Sequence, residues 1–567
     1  LTLLIRPRPA AEAQGFPETL HPVLRRLYAA RGVEAAQLSL ELKHLLPPTG
    51  LRGIEPAAAL LADAIEAGEG IVIAGDYDAD GATGTALGVL GLRALGAAEV
   101  HYVVPDRFRM GYGLSPELAE LAAATGAGVL VTVDNGIASL AGVSHAQELG
   151  LSVVVTDHHL PGPELPGADA IVNPNQPGCG FASKALAGVG VMFYLLLALR
   201  AELRRRGAFE GQAEPNLSEW LDLVALGTVA DLARLDYNNR ILVENGLRRI
   251  RAGRARPGLL ALLKLAGREP SRVGSVDLGF ALGPRINAAG RLDDIRTGID
   301  CLLADSEEEA QGLAAQLDRF NRERRELQAQ MSEEALLLSE DSEAVGVVVF
   351  EEDWHEGIVG LVASKLKERL HRPSIAFARA QEPGLLKGSA RSIDGLHVRD
   401  ALAAIDARQP GLIGRFGGHA MAAGLSLPEA HLAAFSQAFD AVCREWLSEA
   451  QLQRVLETDG ELRAEELQLA TALHLEHAGP WGQGFPEPMF EGHFEVLEAR
   501  LIGSDGQHAK YRLRSAAGGV PLTAVDFHGG ARLLSPRSSL QAVFTLSVNR
   551  WQGAESLDLR IEHLQPL

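Results

Sequence analysis

Ile71-Val72-Ile73-Ala74-Gly75-Asp76-Tyr77-Asp78-Ala79-Asp80-Gly81 decides the fold class. Its apolar start reads as a buried strand, and it runs straight into a glycine and three alternating aspartates. The same grammar returns twice. Val129–Val133 leads into Asp134-Asn135-Gly136, and Leu151–Thr156 leads into Asp157-His158-His159. Amphipathic or Ala/Leu-rich helical stretches separate these runs. That pattern predicts an α/β fold with a mostly parallel sheet and helices on both faces. Ligands of an open parallel sheet bind beyond the carboxyl ends of its strands. Successive strands therefore deliver acids and imidazoles to one edge.

So many carboxylates cannot sit together unneutralised, because like charges raise one another's pKa. Divalent cations resolve the conflict. Mixed oxygen and imidazole ligands suit manganese or magnesium better than a thiolate-bound metal. Two ions sharing one carboxylate would stand about 3.5–4 Å apart, the spacing of in-line phosphoryl displacement. Any one of these acids alone is an ordinary turn residue or helix N-cap. Their conjunction at several strand ends carries the reading.

Outside this core, the 567 residues suggest three or four domains. The composition, 47% hydrophobic and 22% charged, is that of a globular chain. No apolar run reaches the roughly 18 residues of a membrane span. Leu1–Arg8 lacks a signal-peptide layout, and a first residue other than Met points to a missing or processed start. Cys179, Cys301 and Cys443 form no CxxC pair, which fits a reducing cytoplasm. A net charge of −20 repels a polyanion at long range, so a nucleic-acid substrate requires local basic groups. Arg248, Arg249, Arg251, Arg254 and Arg256 offer such a run, or else a solvated helix face. No Gly-Lys dipeptide occurs, so there is no Walker A loop and no ATP-driven helicase.

The expected divisions are an N-terminal segment 1–50, helical and loop-like; an α/β domain 51–256; a helical connector 257–344; a second α/β domain 345–450; and a small antiparallel β-domain 451–567. The connector holds a charged helix, roughly 299–340, with Leu313, Leu317 and Phe320 on one buried stripe.

Asp78-Ala79-Asp80, Asp134-Asn135-Gly136 and Asp157-His158-His159 resemble the first three motifs of DHH phosphoesterases. Leu226-Gly227-Thr228-Val229-Ala230-Asp231 resembles the fourth. The resemblance implies that Asp78 holds one metal, that Asp80, His158 and Asp231 hold the other, and that Asp134 bridges. It implies that His159 faces the substrate phosphate, which makes Asp134 and His159 the catalytic pair. Several family members carry a histidine four residues before the first acid. Ala74 stands there in this chain, which leaves the first site weaker or dependent on Asp76.

A wider similarity, to the RecJ-like exonucleases, covers nearly the whole chain. It rests on Gly75–Gly81, Pro105-Asp106-Arg107 with Gly111-Tyr112-Gly113, and Gly283-Pro284-Arg285-Ile286-Asn287-Ala288-Ala289-Gly290-Arg291. Arg107, Arg109, Tyr112, Arg285, Asn287 and Arg291 are the implied DNA contacts. The alternative for Arg285 and Arg291 is pairing with acids such as Asp293 and Asp294. Residues 345–450 resemble a DHH-associated domain. They carry Trp354-His355-Glu356-Gly357, Gly388–Ser392 and Gly417-Gly418-His419. Ser389, Arg391, Ser392, Gly418 and His419 would form a cradle for a terminal phosphate. Gly479–Pro486 resembles the entry to an OB-like barrel, where Tyr511, Arg512, Arg514, Phe527, Arg550 and Trp551 are candidates for strand binding or for core and surface.

The similarity implies a 5′→3′ exonuclease that uses two Mn2+ or Mg2+ ions to release 5′-mononucleotides from single-stranded DNA in recombination and repair. It implies a monomer in a bacterial cytoplasm, associated with the nucleoid, with the single-strand binding protein SSB and a RecQ-type helicase as partners and no membrane. The rivals are a DHH phosphodiesterase for short oligoribonucleotides or cyclic dinucleotides, and a metal-free DHH scaffold. Retention of Asp78, Asp80, Asp134, His158 and Asp231 argues against the scaffold.

Overall fold

A computed structural model describes residues 3–12, 14–340, 342–503 and 506–567. The chain divides into two compact units. The larger contains Pro7–Gly290, Asp294–Asp318 and Glu457–Leu567; the smaller is built mainly from Arg319–Leu456.

The larger unit holds the parallel sheet. Its strands are β1 (Ile71–Ala74), β2 (Val100–Val103), β3 (Val129–Val133), β4 (Ser152–Thr156) and β5 (Ala170–Val172). They lie in the order β2-β1-β3-β4-β5, and every pairing is parallel. Each residue of β1 and β3 is buried, which is why both read as unbroken apolar runs. Ala74 lies opposite Thr132, and Val133 opposite Thr156. The carboxyl ends of β1, β3 and β4 are thus level, and Asp76, Asp134 and Asp157 leave the sheet at one edge. Helix α1 (Ala79–Ala94) follows β1 and packs against α2 (Gly188–Arg205) and α3 (Leu221–Ala230).

The expected connector helix is two helices. Arg296–Leu303 ends where Ala304 turns extended, and α4 (Glu307–Ser339) begins soon after. Leu317 is buried on α4, whereas Leu313 and Phe320 are half-buried. The smaller unit contains a five-stranded sheet of β6 (Val347–Phe350), β7 (Ser374–Arg379), β8 (Leu385–Arg391), β9 (Arg415–Gly418) and β10 (Ala422–Pro428). Its order is β9-β10-β8-β7-β6, with helix α5 (Val359–Leu370) leading into β7.

The last strands close into a barrel: β11 (Phe490–Ile502), β12 (His508–Ser515), β13 (Leu522–Asp526), β14 (Ser539–Trp551) and β15 (Ala554–Pro566). The pairings are antiparallel, as expected, except for one parallel pair, β13 with β15. The N-terminal segment is also more than helix and loop. It contains a strand, Leu4–Pro7, and a helix, Pro22–Ala30, whose Tyr28 hydroxyl donates to the Ala478 carbonyl. Among the described residues, no helix is long and apolar enough to cross a membrane.

Candidate metal centre

Each acid at the sheet edge is placed by a local backbone event. Asp78 is the N-cap of α1, and its Oδ1 accepts from the N–H groups of Asp80 and Gly81 at 2.9 and 3.0 Å. Asp80, in the first turn of α1, is buried. Its Oδ2 accepts from Gly188 N at 2.6 Å and its Oδ1 from Val189 N at 2.9 Å, at the start of α2. Asp134 follows β3 with φ of 63°, a left-handed conformation that aspartate tolerates better than most residues. Gly188 permits this packing, since a Cβ there would lie 2.5 Å from Asp134 Cβ. Asp231 caps the end of α3.

These placements bring the candidate ligands into three overlapping groups. Asp80, His158 and Asp231 form one, Asp76, Asp78 and Asp134 a second, and Asp134, His158 and His159 a third. In each group the ligand atoms lie within 4.8 Å of one another. Asp134 belongs to two of them. Asp76 joins Asp78 in the second group, so an acid of the same loop stands where Ala74 offers no ligand.

The electrostatics match a cation site. Burial first, and then the neighbouring carboxylates, push Asp76, Asp134 and Asp231 well above the usual carboxylate range. The same causes push Asp80 up to about 7. Burial lowers His158 to about 4, which leaves its ring neutral and able to ligate. Asp76 Oδ1, Asp134 Oδ1 and His158 Nε2 are buried atoms with no hydrogen-bond partner. His158 Nε2 lies 3.0 Å from Asp134 Oδ1 without hydrogen-bond alignment, and 3.9 Å from both Asp80 Oδ2 and Asp231 Oδ2. Oxygen and imidazole atoms converging in this way fit a divalent cation.

One residue of the candidate site escaped the sequence reading. Asp157 is buried and accepts from four donors: His158 N, His159 N, His159 Nδ1 and Ile137 N, at 2.7 to 3.1 Å. Burial is the largest single influence and works to raise its pKa, but the His159 hydrogen bond, the charges of both histidines and the Ile137 N–H together outweigh it and lower it. Asp157 thus anchors the His159 ring instead of joining a ligand group. Tyr112 adds to this anchoring: its hydroxyl lies 2.9 Å from His159 Nδ1 and donates to the Asp134 carbonyl. The signal for Asp157 was present in its place between strand and histidines, but only the fold shows its donors.

The candidate DNA contacts divide. Arg107 lies over the Tyr77 ring at 4.7 Å, and Arg109 is exposed. Arg285, by contrast, binds Asp318 and the Ala281 carbonyl, and Asn287 Oδ1 accepts from Ala79 N at the start of α1. Both have partners inside the fold. Arg291 donates to the Gly357 carbonyl in the smaller unit. Most of the basic run is likewise committed: Arg248 and Arg251 pair with Glu244, and Arg256 with Asp305.

In the smaller unit, Arg391 on β8 lies opposite Ala422, and Gly418 opposite Ala423, which puts the His419 turn beside Arg391. Arg391 Nη1 donates to Ser389 Oγ at 2.9 Å. Ser392 does not belong with them: it is buried, and its hydroxyl donates inward to the Leu396 carbonyl at 2.7 Å. Gly360, unnoticed in the sequence, brings the first turn of α5 against this group. A Cβ there would lie 3.0 Å from both Arg391 Nη2 and Ser389 Oγ. Gly418 serves its turn, with φ of 140°.

In the barrel, Tyr511 is core, Arg514 pairs with Glu495, and Arg550 binds Glu476 and Glu555. Phe527 and Trp551 are exposed. In the Gly479–Pro486 segment, Trp481 and Phe485 stack at 5.0 Å, with Arg31 and Arg240 over their rings.

Comparison with known proteins agrees with this architecture. The DHH family, N-terminal domain, matches residues 70–228; the DHHA1 domain matches 343–445; and the RecJ OB domain matches 458–563. The chain is 53% identical to the single-stranded-DNA-specific exonuclease RecJ of Dickeya dadantii, over 99% of both chains. It is 50% identical to that of Escherichia coli, again over 99% of both. A crystal structure of RecJ from Thermus thermophilus in complex with Mn2+ aligns with a TM-score of 0.82 at 32% identity, covering 99% of this chain and 79% of that one. With its sheet edge, its smaller α/β unit and its closing barrel all accounted for by these relatives, this chain belongs to the RecJ family of DHH phosphoesterases.

Proposed function

We propose that the chain is a metal-dependent 5′→3′ exonuclease that releases 5′-mononucleotides from single-stranded DNA, in recombination and repair. The observation that carries this reading is the set of buried ligand atoms without hydrogen-bond partners: Asp76 Oδ1, Asp134 Oδ1 and His158 Nε2. Two Mn2+ or Mg2+ ions, when bound, supply water activation and neutralise phosphate charge. Asp76 and Asp78 would hold one, and Asp80, His158 and Asp231 the other. Asp134, common to two groups, would be shared between them.

The side chains then have separable tasks. Asp157 fixes the His159 ring through Nδ1 and favours its protonated form. His159 can then donate from Nε2 to a phosphate oxygen. Polarity would follow from capture of a terminal phosphate by Ser389, Arg391, His419 and the first turn of α5, with Gly418 shaping the turn. Arg107, Arg109 and Tyr112 remain the candidate strand contacts near the sheet edge. The same reading makes the chain a monomer in a bacterial cytoplasm, at the nucleoid, supplied with single strands by a RecQ-type helicase and by SSB.

Single strands labelled at the 5′ or the 3′ end, digested with manganese, test the proposal. Mononucleotides should be released first from the 5′ label. Early release from the 3′ label, or preference for dinucleotides over long strands, would overturn it.

A further inference from the structure

Two exposed apolar side chains, Leu232 and Phe280, belong to stretches that meet at the end of α3, and folding gives neither of them a use. Leu232 follows Asp231 with φ of 58° and is 67% exposed. It occupies the position after a helix end that glycine normally takes, and β-carbon crowding disfavours leucine there. Its neighbours close the helix: Leu232 N donates to the Val229 carbonyl and Ala233 N to the Thr228 carbonyl. Phe280 is 81% exposed, and it sits on a π-helical turn, Leu278–Leu282. Such turns recur at functional sites. Val276, four residues earlier, is also exposed.

The two stretches are packed together. A Cβ on Gly279 would lie 3.3 Å from Val229 Cγ1, and one on Gly283 would lie 3.0 Å from Ala230 Cβ. The π turn therefore rests on the last residues of α3, immediately before Asp231. The strained leucine follows Asp231 directly, and the bare phenylalanine sits on the turn packed against the residues just before it.

We propose that Phe280 and Leu232 form an apolar step beside the metal centre, on which one nucleobase of the single strand rests. This deepens the exonuclease reading and depends on it for the identity of the occupant. Unpaired bases present flat apolar faces, and aromatic side chains hold them with little regard to sequence. The charge of the chain favours such a contact. At −20 overall, and with Arg248, Arg251, Arg256 and Arg285 bound to acids, the protein has reason to grip bases as well as phosphates.

The test measures binding of an oligothymidylate in chelator, and then digestion with manganese. Phe280→Ala should weaken binding by about tenfold, and Phe280→Trp should restore it. The loss should persist at high salt, because stacking is not screened. A series of oligonucleotides carrying one abasic site should identify a single position where the wild type loses affinity and Phe280→Ala loses no more. During digestion, Phe280→Ala should raise KM with little change in kcat. Leu232→Gly should raise Tm while weakening binding, a combination that a purely structural leucine would not give. Unchanged binding by Phe280→Ala, or equal effects at all abasic positions, overturns the step, whether or not the chain hydrolyses DNA. Weakened binding at one base position with a wild type inert in manganese would uphold the step and overturn the catalytic reading.

Discussion

Two regions of the larger unit bury carboxylates, and they treat them in opposite ways. At the junction of the N-terminal segment with the barrel domain, Asp459 and Arg31 have side chains only 2% and 3% exposed. Arg31 grips both Asp459 oxygens at 2.8 and 3.0 Å, Arg8 Nη1 stands 3.2 Å away, and Met489 N donates as well. At the sheet edge, Asp76 and Asp134 are as deeply buried, yet each keeps an oxygen with no partner. A buried charge that is fully paired from within belongs to the architecture. One left unpaired, among like charges, is held for something that binds.

The contrast can be broken most sharply at Asp134. Asp134→Asn should abolish manganese-dependent hydrolysis while leaving strand binding in chelator close to wild type. Its effect on stability should have the opposite sign. The folded pKa of Asp134 is raised, so as pH rises above ~4 the unfolded chain ionises first and the metal-free wild type loses stability. The variant escapes this loss. Its Tm advantage in chelator should be absent at low pH, grow as pH rises, and vanish when manganese is added. A variant less stable than wild type at neutral pH in chelator would remove the distinction between the regions.

Arg31→Ala makes the complementary change, since it takes away the bidentate partner of Asp459 and leaves only Arg8 and Met489 N beside it. It should cost about 3 kcal/mol in denaturant unfolding, because a buried charge loses its main partner. Asp157→Asn lies between the two regions in character: a satisfied carboxylate whose partner is the proposed phosphate-facing His159. It should lower activity about 10–100-fold, with a fold stable enough to bind DNA. The smallest effect belongs to the surface. Arg514→Ala breaks an exposed pair with Glu495 and should change stability by less than about 1 kcal/mol.

The sheet edge was legible because it depends on local order: apolar strand, then acid, then helix. β1 and β3 begin and end where the apolar runs do, and Asp78 is at once turn residue, helix cap and candidate ligand. What was hidden depends on distant partners. Nothing near Asn287 in sequence announces that it caps α1 at Ala79, nor that Arg285 is spoken for by Asp318. Ser392 looked like its neighbour Ser389, but the backbone turns its hydroxyl towards Leu396. The N-terminal segment showed no chemistry because its role is packing, with Tyr28 and Arg31 set against Trp481 and Phe485. The parallel closure of the barrel was equally out of reach, since alternation marks a strand but not its partner's direction.

Asp80 carries a consequence for how such a protein could decay. Its two oxygens tie the start of α2 to α1, so the residue is a staple as well as a candidate ligand. A descendant released from selection for cleavage would lose Asp76 and Asp134 cheaply, since their charges only burden the metal-free fold. It would keep Asp80 long afterwards. An intact first-helix aspartate is therefore poor testimony that a distant cousin still cuts, whereas the acids that each leave a buried oxygen unpartnered are the ones to ask.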